Sequence, residues 1–516
     1  MTATITRFDP SILHPETSPH ERAPVIELVR QTRDRQTISF SCPGHKGGNG
    51  VDDELRQVLG EAVFQSDLWL NQRDFTVALR AAEALAAHAW GASAAHFLVN
   101  GSSSGNIAVL QAMLAPDETV IISRDAHRSM ISALIATGAR PVYLAPRLDA
   151  HWDIGAGIAP DDVARALEQH PGARAVVLTS PTYCGVHSDI EAIAEIVHSH
   201  DLPLVVDQAW GAHLAFHQAL PKCAIAAGAD VVVVSPHKTL GAFSQGAMVL
   251  AQGARIDMDR LKSSVEMTQS TSRNVPLLMS LDAARRQMAL RGHQLLDRTL
   301  ASAAEARALL RAIPGVQIID AVSLGLPDWK FDATRLVIDT TGFEMSGYAV
   351  EHHLRHEFGI APEMSDARGI VCLITIGDTP ATILALVEAI SRLATRGRGH
   401  RLVDHGSVPR SRGVSGCARS TGAAIQPGDL VLTPREAYFS DSRLVAAEDA
   451  VGGIVAEMVV PYPPGIPVVM PGERLTRAKL RYLQQVVEDG GHCAGVSDSS
   501  LRTLRIVDRP VSVDSR

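Results

Sequence analysis

Lys238 stands out among the residues that could do chemistry, because it comes shortly after a run of four valines. The segment DVVVVSPHK (230–238) places its amine at the mouth of what reads as a buried strand. A charged lysine is costly to bury. If the amine condenses with an aldehyde, that cost disappears and the residue becomes a covalent catalyst. Ser235 and His237 flank it as candidate donors to an anion. The plain alternative is a solvated lysine at a domain edge.

Two other candidate groups follow apolar runs. Asp207 ends LPLVVD (202–207), and a carboxylate at that position is partly desolvated and needs a cationic partner. An arginine and the protonated ring nitrogen of a cofactor fit equally well. His127 follows TVIIS (119–123). It is suited to stacking on a planar ligand or to proton transfer, or it is an ordinary loop histidine before a helix.

A small-residue turn, GSSSGN (101–106), follows the run HFLVN (96–100). Free N–H groups at the start of a helix, together with the hydroxyls of Ser102 and Ser103, can hold a phosphate. An ordinary serine N-cap beside a glycine turn is the simpler interpretation. The turn is not a Walker loop, because no lysine follows its last glycine.

These features are more informative together than separately. A phosphate cradle, a ring-stacking histidine, a carboxylate and a lysine at successive strand ends fit one molecule, pyridoxal 5′-phosphate. Its aldehyde needs the lysine, its pyridinium needs the carboxylate, and its phosphate needs the turn.

The elements that would position these residues alternate between short apolar runs and amphipathic stretches. Continuous rather than alternating apolar runs indicate strands buried on both faces. We predict an α/β fold with a mainly parallel central sheet and helices on both faces. The predicted strands are 96–100, 119–123, 141–145, 175–179, 202–207, 230–235 and 246–251. The predicted helices between them are 106–114, 129–137, 160–170 and 190–200.

The rest of the chain divides by composition. We predict a large cofactor-binding domain over about 60–290, preceded by an N-terminal arm, 1–59, and a smaller α/β domain over 291–395. A long helix is predicted over about 280–313, and strands are expected at 335–339 and 371–376. Residues 396–427 are rich in Arg, Gly and Ser and are predicted to be a linker or mobile loop. A C-terminal region, 428–516, follows, with a frayed tail of about twenty residues.

Composition narrows the class of protein. The 516 residues are 46% hydrophobic and 20% charged, with a net charge of −8, which excludes a disordered chain and disfavours a nucleic-acid binder. Six scattered cysteines without a CxxC pair suggest reduced thiols. The sequence contains neither a secretory h-region nor a membrane-length apolar run. We therefore expect a soluble, cytoplasmic protein that contacts neither membrane nor nucleic acid.

Several motifs together resemble the Orn/Lys/Arg decarboxylase family, group III of the fold-type-I pyridoxal-phosphate enzymes. The most specific is VVSPHKTLGAFSQGA (233–247), which is similar to the family's lysine signature, although Gly246 departs from it. The resemblance spans about 22–475 and looks like the short form, without an N-terminal receiver-like wing. The other matching stretches are PGHKGG (43–48), NGSSSGN (100–106), DAHRS (125–129), SPTYCGV (180–186), DQAWGAH (207–213), GIAPEMSD (359–366), TIGDT (375–379) and PYPPGIP (461–467).

The resemblance implies the fold-type-I transferase fold, a C-terminal decarboxylase-type domain over 428–516, and a role for each matching residue. Lys238 binds the cofactor aldehyde, Asp207 pairs with the pyridine nitrogen, and His127 and Ala209 cover the two ring faces. The implied phosphate ligands are Ser102, Ser103, Ser235 and His237.

The resemblance also implies a homodimer or higher homo-oligomer, with Thr271 and Ser272 reaching a neighbour's site. Arg273, where the family has proline, and FSCPG (40–44) depart from the pattern. A changed mouth of the site could accompany a changed substrate or a changed reaction.

The implied reaction is decarboxylation of arginine, lysine or ornithine to the amine and CO₂, a lyase step that feeds polyamine biosynthesis. Lys238 or His237 would return a proton to the α-carbon, and Glu363, Asp366 or Glu457 would meet the distal cation of the substrate. The alternatives are another cofactor-dependent reaction (a transaminase, an oxidative deaminase or another lyase) and a non-catalytic binding protein of the same fold. The intact Lys238 and Asp207 argue against the last of these. We predict no metal site, because the pair His352 and His356 lacks an HExxH motif.

Overall fold

The computed structural model describes residues 18–399, 426–462 and 465–509. Its centre is a seven-stranded sheet with the strand order β1-β9-β8-β7-β6-β2-β3, in which β9 alone is antiparallel to its neighbours. The mainly parallel sheet predicted from the sequence is thus confirmed. The strands are β1 (Ala94–Leu98), β2 (Thr119–Ser123), β3 (Arg140–Leu144), β6 (Ala173–Thr179), β7 (Leu204–Gln208), β8 (Val231–Val234) and β9 (Ala247–Ala251), with a short hairpin of β4 (Leu148–Asp149) and β5 (Ile154–Gly155).

Helices cover both faces of this sheet, because its central strands are apolar on both sides; every residue of β7, β8 and β9 is buried. One apolar layer is contributed by α1, α4, α7, α8 and α11, and the other by α5, α6 and α10. The helices of the N-terminal and large domains are α1 (Pro24–Asp34), α2 (Asp53–Leu59), α3 (Glu61–Ser66), α4 (Gln72–Trp90), α5 (Gly101–Met113), α6 (Arg128–Thr137), α7 (Pro160–Gln169), α8 (Ile190–Ser199), α9 (Pro236–Thr239), α10 (Met258–Thr268) and α11 (Val275–Arg311).

A second, smaller α/β unit follows the long helix α11 and has its own core. Its antiparallel sheet has the order β10-β11-β13-β12. The predicted strand 371–376 lies slightly earlier in the structure. The elements are β10 (Gln317–Ile319), β11 (Arg335–Asp339), α12 (Gly347–Glu357), β12 (Met364–Ser365), β13 (Gly369–Leu373) and α13 (Pro380–Gly399).

The C-terminal region forms a third small core. We expected its tail to be frayed, and this is wrong for residues 503–509, which pair along β14 and bury Leu504. The predicted linker, 396–427, begins inside α13, and residues 400–425 lie outside the described part of the chain. The elements are α14 (Pro434–Phe439), β14 (Asp441–Ala446), β15 (Val460–Tyr462), α15 (Arg477–Glu488), β16 (His492–Ala494) and β17 (Thr503–Arg509).

Among the described residues, no helix combines the length and the apolar character needed to cross a bilayer. The five described cysteines are all free.

Candidate active site

The candidate site lies where the parallel strands β7 and β8 end side by side. Asp207 is paired with Val233 in the register of these strands, and β8 continues into Ser235 and the single-turn helix α9, which carries His237 and Lys238. Ligands of open α/β sheets bind beyond the carboxyl ends of such strands. The fold therefore brings these predicted residues to one edge of the sheet.

Lys238 is half-buried at this edge, and its Nζ lies 3.9 Å from the ring centroid of Trp210. Burial lowers the pKa of its amine to about 8, although the carboxylates of Asp207 and Glu363 act in the opposite direction. A lysine with this pKa is about one-tenth neutral at pH 7, far more than an ordinary lysine. The neutral amine is the form that attacks an aldehyde.

Asp207 is buried, and its carboxylate is held from two sides. Asn106 Nδ2 donates to Oδ2 at 2.8 Å, and the backbone N–H of Ala209 donates to Oδ1 at 3.0 Å. Both donors are neutral. In addition, no arginine or lysine among the described residues forms an ion pair with this buried acid. The negative charge is therefore oriented and left for a cationic group that enters the cleft.

His127 is fixed through the same asparagine. Asn106 Nδ2 also donates to Ser129 Oγ at 2.9 Å, and Ser129 Oγ lies 2.8 Å from His127 Nδ1. The backbone N–H of Ser129 donates to Nδ1 as well, so Nδ1 is an acceptor and the neutral ring carries its proton on Nε2. Burial lowers the pKa of His127, with partial opposition from Asp207. The His127 ring is thus neutral, held in one orientation, and close enough to Asp207 to feel its charge.

The serine turn lies in the first turn of α5, which begins at Gly101, five residues earlier than predicted. Gly105 allows this helix to approach the sheet, since a Cβ there would lie 2.6 Å from Leu98 Cδ1 and 3.1 Å from Val233 Cγ1. The free N–H groups of the first turn point out of the helix start. Ser102 is half-buried and Ser103 is exposed, so both hydroxyls are within reach of a ligand.

Ser235 and His237 complete the predicted anion-binding set. Ser235 is fully buried, and its Oγ has no hydrogen-bond partner among the described residues. An unpaired buried hydroxyl is rare, and it fits a position that a ligand oxygen would fill. His237 Nδ1 donates to the carbonyl of Gly246 at 2.8 Å, so Nε2 is an acceptor in the neutral ring and donates to an anion only in the imidazolium form. Burial lowers the pKa of this histidine.

Four functional residues escaped the sequence reasoning. Asn106 and Ser129 join Asp207 to His127, as described above, and Trp210 lies against Lys238. Arg335, at the start of β11, is buried and donates from Nη2 to the Trp210 carbonyl at 2.6 Å. The sequence could have pointed to Arg335, because it is a charged residue at the start of the apolar strand RLVID. No sequence pattern pointed to Asn106, because its hydrogen-bond partners lie 23 and 101 positions away.

The three acids considered for a distal cation differ in their surroundings. Glu363 is exposed and lies within electrostatic reach of both Lys238 and Arg335, and partial loss of hydration of its carboxyl raises its pKa. Asp366 accepts the backbone N–H groups of Arg368 and Gly369 in a turn. Glu457 accepts from Ser497 and Arg505 within the C-terminal region. Glu363 is therefore the acid whose charge is available in the cleft, and the other two stabilise local structure.

The remaining sequence expectations concern the surface. Thr271 and Ser272 are exposed in the loop between α10 and α11, and Arg273 lies over the ring of Phe75 at 4.2 Å. Their predicted reach into a neighbour's site stays a prediction. His352 and His356 lie with ring centroids 4.4 Å apart on α12.

Comparisons with known proteins identify the family to which the whole chain is similar. Residues 23–335 match the family described as Orn/Lys/Arg decarboxylase, major domain, and residues 422–499 match its C-terminal domain. An arginine decarboxylase of Halalkalibacterium halodurans is 33% identical over 95% of this chain and 98% of its own. An arginine decarboxylase of Bacillus subtilis is 34% identical with the same coverage.

Solved structures confirm the fold. The lysine decarboxylase LdcF of Francisella novicida superposes with a TM-score of 0.79 at 20% identity, over 94% of this chain and 81% of its own. An alanine–glyoxylate aminotransferase of Nostoc sp. gives a TM-score of 0.51 over 64% of this chain and 91% of its own. The expected fold-type-I architecture is thus confirmed. The chain belongs to the Orn/Lys/Arg decarboxylase family, and the predicted enzyme class, a decarboxylase of a basic amino acid, is confirmed with it.

Proposed function

We propose that this protein uses pyridoxal 5′-phosphate to decarboxylate arginine to the corresponding amine and CO₂. The observation that carries the proposal is the juxtaposition of Lys238, whose pKa is lowered to about 8, with the buried and neutrally held carboxylate of Asp207 on the neighbouring strand.

The residues present fit the cofactor. Lys238 offers an amine for its aldehyde, and Asp207 an oriented negative charge for its ring nitrogen. The unpaired Ser235 Oγ and the start of α5, with Ser102 and Ser103, would hold its phosphate. His127 and Ala209 would cover the two faces of its ring, and His237, whose Nε2 can donate only in the imidazolium form, would add a phosphate contact.

When bound, the cofactor supplies an electron sink for the bond that breaks at the α-carbon. The side chains do the rest. Asp207 would keep a proton on the ring nitrogen, because its carboxylate is buried and is held by neutral donors instead of an ion pair. Lys238 would anchor the cofactor through its neutral amine and, in its ammonium form, would donate a proton to the α-carbon; His237 in its imidazolium form is the other candidate donor. Trp210 excludes water from beside the lysine amine.

Glu363 is the residue that we propose for the distal cation of the substrate. Its carboxyl lies within electrostatic reach of Lys238, so a cation at the far end of a bound amino acid would meet it. The guanidinium of arginine can form two parallel hydrogen bonds with a carboxylate. Support for arginine over lysine also comes from the relatives, since those at 31–34% identity are named arginine decarboxylases.

A homodimer in the cytoplasm completes the proposal. The exposed positions of Thr271 and Ser272 suit residues that contact a second copy of the chain. The free thiols suit a reducing compartment.

The experiment is an amino-acid panel with product analysis. The purified protein, supplied with pyridoxal 5′-phosphate, is incubated with arginine, lysine and ornithine, and CO₂ and amines are measured by mass spectrometry. We expect the amine of arginine as the main product and none from Lys238→Ala. Lys222→Ala, which removes an exposed lysine paired with Glu191, is the control and should keep full turnover. A keto acid or ammonia as the main product would replace decarboxylation with transamination or oxidative deamination.

A further inference from the structure

We propose that Arg124 is a positioning residue, which sets the wall of the candidate site by holding the segment 465–468 of the C-terminal region against His127. The inference rests on the proposed function, because it assigns to His127 a role in covering a bound ring.

Arg124 follows β2 directly and is fully buried. Its Nη1 donates to the Pro467 carbonyl at 2.5 Å, and its Nη2 donates to the Val468 carbonyl at 2.8 Å. The planar guanidinium thus holds two successive carbonyls, a geometry that the single amine of a lysine cannot reproduce. One residue of the large domain therefore fixes the end of the segment.

A second contact fixes the beginning of the segment, on the other side of His127. The backbone N–H of Arg128 donates to the Gly465 carbonyl at 3.3 Å. Gly465 has a φ of +89°, and a Cβ on it would lie 3.5 Å from His127 Cδ2. The backbone of the segment therefore runs along the edge of the histidine ring. Since His127 lies between Arg124 and Arg128 in sequence, both contacts bracket it.

The charge of Arg124 is balanced inside the protein. Its Nη2 lies 3.3 Å from Glu473 Oε2, which also accepts from Lys479 Nζ at 2.9 Å, and all three side chains are buried. Burial alone would raise the pKa of Glu473, but the two cations hold it below its usual value. Breaking a buried pair normally leaves an unpaired charge. Here Glu473 keeps Lys479 as a partner when Arg124 is removed, so loss of the arginine charge is tolerable.

This arrangement assigns a task to the C-terminal region. The ring of His127 is oriented from behind by Ser129 and Asn106, and from the edge by a segment more than 330 positions away in sequence. A loosened segment would leave the ring free to tilt, and small misplacements of a positioning group reduce turnover strongly. Substrate affinity depends on other residues and should change little.

The test compares Arg124→Met with Arg477→Met. The control removes an exposed arginine of the same C-terminal region, paired with Glu448. We expect Arg124→Met to lower kcat by about 10- to 100-fold with little change in KM, and Arg477→Met to leave both unchanged. Arg124→Lys, which keeps the charge but not the paired carbonyl contacts, should fall between Arg124→Met and the unsubstituted enzyme.

A second readout does not need the cofactor. Diethyl pyrocarbonate labelling of His127, followed by mass spectrometry on the cofactor-free protein, should become faster in Arg124→Met and stay unchanged in Arg477→Met. Unchanged labelling together with unchanged kcat would overturn the proposal. Faster labelling in a protein without decarboxylase activity would keep the positioning role and reject the proposed function instead.

Gly465→Ala provides an independent check, because it disturbs the same segment without touching the buried charges. Its methyl group would contact the His127 ring at a strained backbone angle. If both residues act through the segment, the effects of Arg124→Met and Gly465→Ala on kcat should be less than additive in the double variant. Full additivity would overturn the shared mechanism, and this result also decides the case if Arg124→Met alone is poorly stable.

Discussion

The side of the site around Asp207 and the side around Glu363 are built in different ways. Asp207, Asn106 and Ser235 are 4%, 0% and 0% exposed, and they lie on adjacent elements of one domain. Glu363 lies just before a short strand of the smaller domain, remains open to solvent, and has no ion pair among the described residues. A buried acid that is oriented by neutral donors suits a permanently bound cofactor, and an exposed acid without an ion pair suits a substrate that enters and leaves. We call the surroundings of Asp207 the closed side of the site and those of Glu363 the open side. We therefore expect substitutions on the two sides to have separable effects.

The largest effect should come from the closed side. Asp207→Asn keeps the shape of the side chain and its acceptor oxygen but removes the charge that would hold a proton on the cofactor ring. We expect kcat to fall by about 10²- to 10³-fold with KM for arginine nearly unchanged. Steady-state kinetics would measure both constants. A change confined to KM would contradict the division into two sides.

Glu363→Gln tests the open side. We expect kcat/KM for arginine to fall by about 10- to 100-fold, mainly through KM, because a charge-assisted hydrogen bond to the distal cation is lost. An amino acid without a distal cation provides the control and should be turned over equally slowly by both proteins. Equal losses for both substrates would remove Glu363 from substrate recognition.

A third substitution tests how closely α5 packs against the central sheet on the closed side of the site. Gly105→Ala would place a methyl group 2.6 Å from Leu98 Cδ1, so the buried Leu98 side chain, α5 or the strand must shift. We expect a loss of about 1–3 kcal/mol in the free energy of unfolding, measured by denaturant titration. Gly172→Ala is the matched control, since a Cβ there has open space around it. Similar stability of the two variants would show that α5 is not closely packed.

The smallest expected effect concerns the electrostatic interaction between Lys238 and the Glu363 carboxylate. The amine of Lys238 has a pKa lowered to about 8, and only its neutral form attacks an aldehyde. The rate at which cofactor-free protein takes up pyridoxal 5′-phosphate should therefore rise with pH, with its midpoint at about 8, and level off about one pH unit higher. The Glu363 carboxylate raises this pKa, so Glu363→Gln should move the midpoint of the rise to lower pH, by about half a unit. A shift to higher pH would mean that the two charges do not interact.

The sequence was informative about the closed side for a physical reason. Parallel strands bring their ends to one edge, so Asp207 and Lys238 could be placed together from the order of apolar runs alone. Asn106 could not be found in this way, because its role depends on how closely α5 approaches the sheet. The start of α5 was predicted too late for a similar reason, since serine and glycine are weak helix formers and packing decides the conformation there. The ordered strand 503–509 was missed because its partner, β14, lies about sixty positions earlier.

The single amide of Asn106 links two tasks that are usually considered separately. Asn106 lies in the same helix as the serine turn. Its amide orients Asp207 and also Ser129, which in turn orients His127. A phosphate bound at the start of α5 would thus also stabilise the positions of Asp207 and His127, which align the cofactor ring. Pyridoxal, which lacks the phosphate ester, should therefore replace the cofactor poorly for two reasons. It would bind weakly, and even at saturation its ring would be poorly aligned for turnover.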